Sequence, residues 1–181
     1  MLTPTREVYS FDGWYNAETG GDKVTVIEAG RVGNITLYAR WTVNRYTVAF
    51  NGANVSGSGN GEAEHGAIYT YKLSAVNGYS LPGDVTIMIG DNLLEYGYSY
   101  DKASGVITIE AGRITDDVVI SANGVINTYT VTFDTDGGSE IKSQTVAHGD
   151  KAAMPESAPE KDGYKFAGWY VGETEFKFDE T

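Results

Sequence analysis

The chain contains no cysteine, and only two of its 181 residues are histidine. The absence of cysteine excludes disulfide bonds, thiolate metal sites and a cysteine nucleophile. Two histidines leave little for a zinc site or a catalytic triad. The composition therefore argues against most classes of enzyme, and we predict a non-catalytic protein without catalytic, cofactor-binding or metal-binding residues.

Positive charge is scarce as well, because 13 Lys and Arg face 25 Asp and Glu and the net charge is −12. Such a chain repels phosphate backbones and anionic lipid headgroups, so we expect no nucleic-acid partner. No apolar run approaches the roughly 20 residues of a membrane-spanning helix. The first six residues, MLTPTR, lack the basic and then apolar stretches of a signal peptide. We therefore expect no membrane insertion.

The hydrophobic pattern is that of β-strands. Large and small residues alternate in Tyr46–Phe50 and Tyr129–Phe133, and β-branched runs occupy residues 85–89, 106–109 and 118–120. Pairs typical of tight turns with positive φ separate these runs: Asn51-Gly52, Gly83-Asp84, Gly90-Asp91, Asn123-Gly124 and Gly137-Gly138. A helix is favoured only at residues 151–154, where two following prolines keep it short. The pattern predicts a mainly β protein.

Internal repeats predict how the chain is organised. Phe11-Asp-Gly-Trp-Tyr15 recurs as Phe166-Ala-Gly-Trp-Tyr170, an offset of 155 residues. Two other matches have shorter offsets: Ile27-Glu-Ala-Gly-Arg31 recurs 82 residues later, and His65-Gly66 recurs 83 residues later. These offsets fit one complete unit at residues 43–125, with the back part of a preceding unit at 1–42 and the front part of a following unit at 126–181.

The two flanking parts carry an ordered set of residues. Tyr129-Thr-Val-Thr-Phe133 is followed by Asp-Thr-Asp-Gly-Gly, His148-Gly149, two prolines and the Gly-Trp-Tyr motif. This pattern resembles the Listeria–Bacteroides repeat, also called the internalin B-repeat. The resemblance implies tandem β-grasp-like modules of secreted or wall-attached bacterial proteins, placed at the cell surface, and it supplies no catalytic residue.

The middle unit is similar to divergent versions of the same repeat. It lacks the Gly-Trp-Tyr motif after Gly78-Tyr79, and it adds a hairpin-like stretch at residues 85–101. We expect this unit to be an antiparallel β-sandwich of six or seven strands.

Aromatic residues are the main candidates for a binding site. Trp14 and Trp169 either fill small cores or form sugar-stacking platforms, and their recurrence at equivalent places favours the core. Tyr96, Tyr98 and Tyr100 have the spacing of one strand face. Such a ladder, like the pair Tyr69 and Tyr71, is either an exposed ligand platform or a half-buried sheet face, and we favour the sheet face.

Two polar motifs carry weaker signals. Asp134-Thr-Asp136 begins like a calcium loop, but the sixth place of that loop requires glycine and holds Ser139, so we predict no metal. His65 and His148 occupy equivalent positions, which indicates a local structural role.

These observations predict a spacer or stalk that projects other domains from a bacterial surface, with short linkers at 41–45 and 124–128 that restrict bending. The alternative is an adhesin in which the stretch 85–101 binds a protein or glycan ligand. Strand edges left open in the two partial units also predict strand complementation between neighbouring copies of the chain.

Overall fold

The structure is a computed structural model that describes residues 2–178. Its elements are 17 β-strands, and these residues contain no helix. The mainly β prediction is thereby confirmed, and the predicted helix at 151–154 is wrong. Instead, the side-chain amide of Gln144 bonds both backbone groups of Ala153, donating to its carbonyl at 2.7 Å and accepting from its N–H at 2.9 Å. These bonds and the following Pro155 hold the segment out of a helical turn.

The first segment, residues 2–43, contains one antiparallel pair. Strand β1 (Tyr9–Tyr15) pairs with β2 (Tyr38–Val43), and the register shifts by one residue between Phe11 and Gly13. The stretch between the two strands forms no further strand and leaves large apolar residues exposed, among them Val26, Ile27 and Val32.

The middle segment, residues 45–126, contains two larger sheets. The first sheet has the order β10-β11-β6-β4, and the second has the order β5-β3-β12-β8-β9. A short pair, β7-β13, lies beside them. The bounds of these strands are β3 (Arg45–Asn51), β4 (Val55–Gly59), β5 (Glu62–Glu64), β6 (Tyr69–Ala75), β7 (Tyr79–Ser80), β8 (Thr86–Ile89), β9 (Asn92–Leu93), β10 (Tyr98–Asp101), β11 (Val106–Ile109), β12 (Val118–Ser121) and β13 (Val125–Ile126).

All pairings in these sheets are antiparallel except one. Strand β12 runs parallel to β3, with Val118 opposite Val48, and antiparallel to β8 on its other side. The added stretch at 85–101 supplies β8 and β9 to one sheet and β10 to the other. The insertion is therefore part of both sheets of the middle segment.

The hydrophobic core lies in the middle segment. Every apolar side chain that is buried among residues 2–178 lies between Val55 and Ala122, and no polar side chain is buried with them. Residues of both sheets share this core, the most buried being Leu73, Ile87, Ile107, Ile109, Ile114, Val118 and Ile120. Because each fully buried aliphatic side chain contributes about 1.5–3 kcal/mol, this core dominates the stability of the described chain.

The last segment, residues 128–178, contains two hairpin-like pairs. Strand β14 (Thr128–Val131) pairs with β15 (Gln144–Ala147), and β16 (Trp169–Val171) pairs with β17 (Thr174–Phe176). Of the five predicted turn pairs along the chain, those at Gly90 and Gly137 have the expected positive φ, 55° and 80°. Among residues 2–178, each strand pairing joins two strands of the same segment.

Candidate functional site

The indole of Trp14 lies in an aromatic cluster of the first segment. Its ring meets Phe11 edge to face at 5.5 Å, and Phe11 meets Trp41 in the same way at 5.3 Å. The indole N–H donates to the Leu2 carbonyl at 3.1 Å. Edge-to-face pairs at these distances contribute about 0.5–1.5 kcal/mol each beyond their buried area.

The last segment has an equivalent cluster around Trp169. This indole lies 5.2 Å from Phe166, the counterpart of Phe11, and 5.0 Å from Phe133 of the strand region near β14. Both tryptophans are half-buried. The indoles thus pack against aromatic neighbours, as a core role requires, although they are less buried than that role predicts.

The tyrosines divide into packed and exposed ones. Tyr69 and Tyr71 are buried on β6, and the Tyr69 hydroxyl donates to the Asn60 carbonyl. Burial is the main cause that raises the pKa of Tyr69 to about 12, and the neighbouring Tyr71 adds to it. Tyr98 and Tyr100 pack half-buried against the same core. These four tyrosines therefore pack on a sheet face of the core, as the favoured interpretation predicted.

Tyr96 does not belong to that ladder. It precedes β10, and 69% of its surface is exposed. The Arg113 guanidinium lies 4.1 Å from the centre of its ring, and the same group donates to the Tyr96 carbonyl at 3.1 Å. The prediction of a three-tyrosine face is therefore wrong at this position, and the added stretch presents one exposed aromatic ring backed by an arginine.

The acidic loop at Asp134 is organised by a lysine. The Asp134 carboxylate accepts the Asp136 N–H at 2.9 Å, and the Lys161 ammonium donates to the Asp136 carbonyl at 2.5 Å and to its carboxylate at 3.1 Å. Within residues 2–178, no three acidic or histidine side chains come close enough together to hold a metal ion. The loop is therefore held by the Asp134 side chain from within and by Lys161 through Asp136.

The two histidines pack beside equivalent tyrosines. His65 lies 6.4 Å from Tyr46, and its Nδ1 is 2.8 Å from the Ile114 carbonyl. The ring of His148 lies 6.0 Å from that of Tyr129 and occupies the space where a Cβ at Gly78 would be. These contacts involve backbone and aromatic groups, which fits the structural role predicted for both histidines.

Single asparagines separate the strands at both segment boundaries. Strand β2 ends at Val43 and β3 begins at Arg45, so only Asn44 lies between them. In the same way, only Asn127 lies between β13 and β14. Both side chains are half-buried, and sequence reasoning treated them as ordinary linker residues. The signal that could have identified them is their separation of 83 residues, which is the repeat offset of the neighbouring Tyr46 and Tyr129.

Comparison with known proteins identifies the repeats. Residues 1–40 and 129–181 match the Listeria–Bacteroides repeat domain, and together they make up half of the chain. Internalin H of Listeria monocytogenes is 47% identical over 49 residues, which cover 26% of this chain and 9% of that protein. No solved structure matches the chain significantly.

Longer matches come from another bacterium. A putative membrane protein of Evansella cellulosilytica is 32% identical over 171 residues, or 94% of this chain and 24% of that protein. A putative Gly-rich membrane protein of the same organism is 29% identical over 171 residues, or 93% of this chain and 18% of that protein. The chain thus spans about a quarter or less of these relatives. Residues 2–178 provide no helix with the length and hydrophobicity of a membrane span.

Proposed function

The chain belongs to the Listeria–Bacteroides repeat family, and we propose that it is a non-catalytic spacer segment of a bacterial surface or secreted protein, in which it projects other domains. We further propose that residues 43–125 are one complete unit between parts of two others. The relatives support a cell-envelope role, since one is named internalin H and two are named as membrane proteins.

The observation that carries this proposal is the length of the two junctions. A strand ends one residue before each new strand begins, at Asn44 and at Asn127. A flexible linker needs several unpaired residues, whereas a single residue flanked by paired strands allows little bending. In an array with such junctions, each unit keeps a fixed orientation relative to the next, as a spacer requires.

Small-angle X-ray scattering of the 181-residue chain tests the spacer. We expect one narrow distribution of dimensions for this chain. Insertion of four residues, Gly-Ser-Gly-Ser, after Asn127 should give a broader distribution. A matched insertion at the exposed Gly172 turn, away from the junctions, should leave the flexibility between segments unchanged. Equal scattering from all three chains would contradict the spacer proposal, because the junction would then not limit motion.

Adhesion is the second candidate, and Tyr96 is the observation that favours it. An exposed ring held by Arg113 is the type of surface that stacks on a sugar or a peptide side chain. We would apply the chain to a glycan array and to immobilised host proteins, together with Tyr96→Ala and a control, Tyr170→Ala, whose ring is also exposed but lies in the last segment. The spacer proposal expects no saturable binding. Binding that only Tyr96→Ala abolishes would establish adhesion instead.

A further inference from the structure

The same turn occurs once in each of the three segments. The N–H of Tyr9, Tyr79 and Tyr164 donates to the carbonyl three residues earlier, at 3.2, 3.0 and 3.0 Å. The residue before each tyrosine has a left-handed backbone, with φ 58° at Val8, 83° at Gly78 and 77° at Gly163. A β-branched residue is rarely found in this conformation, so its presence at residue 8 shows that the surroundings impose the turn.

The first two turns accept the junction asparagines. The Asn44 N–H donates to the Val8 carbonyl at 3.0 Å, and the Asn127 N–H donates to the Gly78 carbonyl at 2.8 Å. In both of these turns, the serine after the tyrosine binds the side chain of the same asparagine. Ser10 donates its hydroxyl to the Asn44 Oδ1 at 2.8 Å.

The second junction repeats this bond, since Ser80 donates to the Asn127 Oδ1 at 2.5 Å. Each asparagine also binds the segment that follows it. The His65 N–H donates to the Asn44 carbonyl at 2.9 Å, and the His148 N–H donates to the Asn127 carbonyl at 2.8 Å. Each junction residue therefore has two bonds to the preceding segment and one to the next.

We infer that the left-handed turn and its serine form a docking surface for the asparagine that begins the next unit. We call the three hydrogen bonds the asparagine clasp. The strand register supports the equivalence, because Tyr9 faces Val43 in the first segment and Tyr79 faces Ile126 in the middle segment. The clasp fixes the orientation of neighbouring units whether the array serves as a spacer or as an adhesin.

The third turn has no asparagine partner among residues 2–178. Among residues 2–178, no hydrogen bond ends on the Gly163 carbonyl, although the turn and its φ match the other two. Lys165 stands where the other turns have serine, and its ammonium can donate to an amide oxygen as a hydroxyl does. The partner that fits is the asparagine-led first strand of another unit, with the sequence type of residues 44–50 or 127–133.

Spin-label distances test the clasp, and the absence of cysteine makes labelling specific. One label pair, Lys72→Cys with Thr145→Cys, spans the second junction, and another, Glu18→Cys with Lys72→Cys, spans the first; all three sites are exposed. Loss of one neutral hydrogen bond shifts an equilibrium about fivefold toward the open arrangement. Asn127→Ala should therefore broaden only the distances across the second junction.

The same reasoning predicts that Asn44→Ala broadens only the distances across the first junction. Ser80→Ala removes the other partner of the same hydrogen bond and should therefore broaden the same distances to a similar extent. The control Asn92→Ala alters an exposed asparagine of β9 and should change neither distribution. Wild-type widths in all the junction variants, or broadening at both junctions from one substitution, would overturn the clasp.

Discussion

Gly78 offers a direct measure of how firmly the second junction is packed. Its φ of 83° resembles the 77° of Gly163 in the equivalent turn, but the two sites differ in their neighbours. A Cβ at residue 78 would overlap the imidazole of His148, whereas a Cβ at residue 163 has no atom within 4 Å. Gly78→Ala and Gly163→Ala therefore form a matched pair.

The backbone cost is common to both substitutions. A left-handed alanine costs about 1–2 kcal/mol, and the smaller conformational entropy of its unfolded chain returns about 0.5–1 kcal/mol. Each substitution should thus lower the free energy of unfolding of its own segment by about 1 kcal/mol. Gly78→Ala must also displace His148, and such overpacking costs about 1–3 kcal/mol more.

Hydrogen exchange of the His148 amide is the appropriate assay, because this amide bonds the Asn127 carbonyl across the junction. We expect Gly78→Ala to accelerate its exchange by a factor of about 5–150, which corresponds to the overpacking cost. Gly163→Ala should leave it unchanged. Equal exchange in the two variants would refute the packing of His148 on the Gly78 turn.

Further predictions concern strain, core and assembly. Val8→Gly should relieve the left-handed strain and raise the stability of the first segment by about 0.5–1 kcal/mol, as measured by urea unfolding of its tryptophan fluorescence. Ile107→Ala should cost about 2–5 kcal/mol in the middle segment and leave the amide exchange of the flanking strands unchanged; a loss in all three segments would show a single cooperative domain. In the middle segment the first strand, β3, pairs in parallel with the late strand β12. Among residues 2–178, β14 and β2 each pair with one strand only, so each has a free edge for such a pairing with another copy. Light scattering should therefore detect self-association of the chain, and a strict monomer would count against complementation. Appending a second copy of residues 24–125 after residue 178 should bring another Asn44 to the Gly163 turn, and unprotected amides at that joint would contradict the open docking surface.

Strand alternation made much of the fold predictable. Tyr46, Val48 and Phe50 alternate in the sequence because one face of β3 packs on the core, and all three are half-buried in the structure. The position of Tyr96 outside the strand was not predictable in this way, because spacing alone does not show that Gly97 turns the chain before β10 begins. Local periodicity therefore predicted strands well and their ends poorly.

The asparagine clasp was not predictable from either junction alone. Its acceptor is a backbone carbonyl in a left-handed turn, which the sequence signals by Gly78 but conceals at Val8. Its donors lie 36 residues away from the turn in one case and 49 in the other. Only the pairing of β1 with β2 and of β7 with β13 brings these groups together.

Residual dipolar couplings of the backbone amides test the central claim that one-residue junctions join the segments without flexible linkers. In one alignment medium, we predict that couplings from residues 9–43, 45–126 and 128–176 fit a single alignment tensor. Three tensors of different magnitude would show that the segments reorient independently, and the array could then not act as a spacer of fixed geometry.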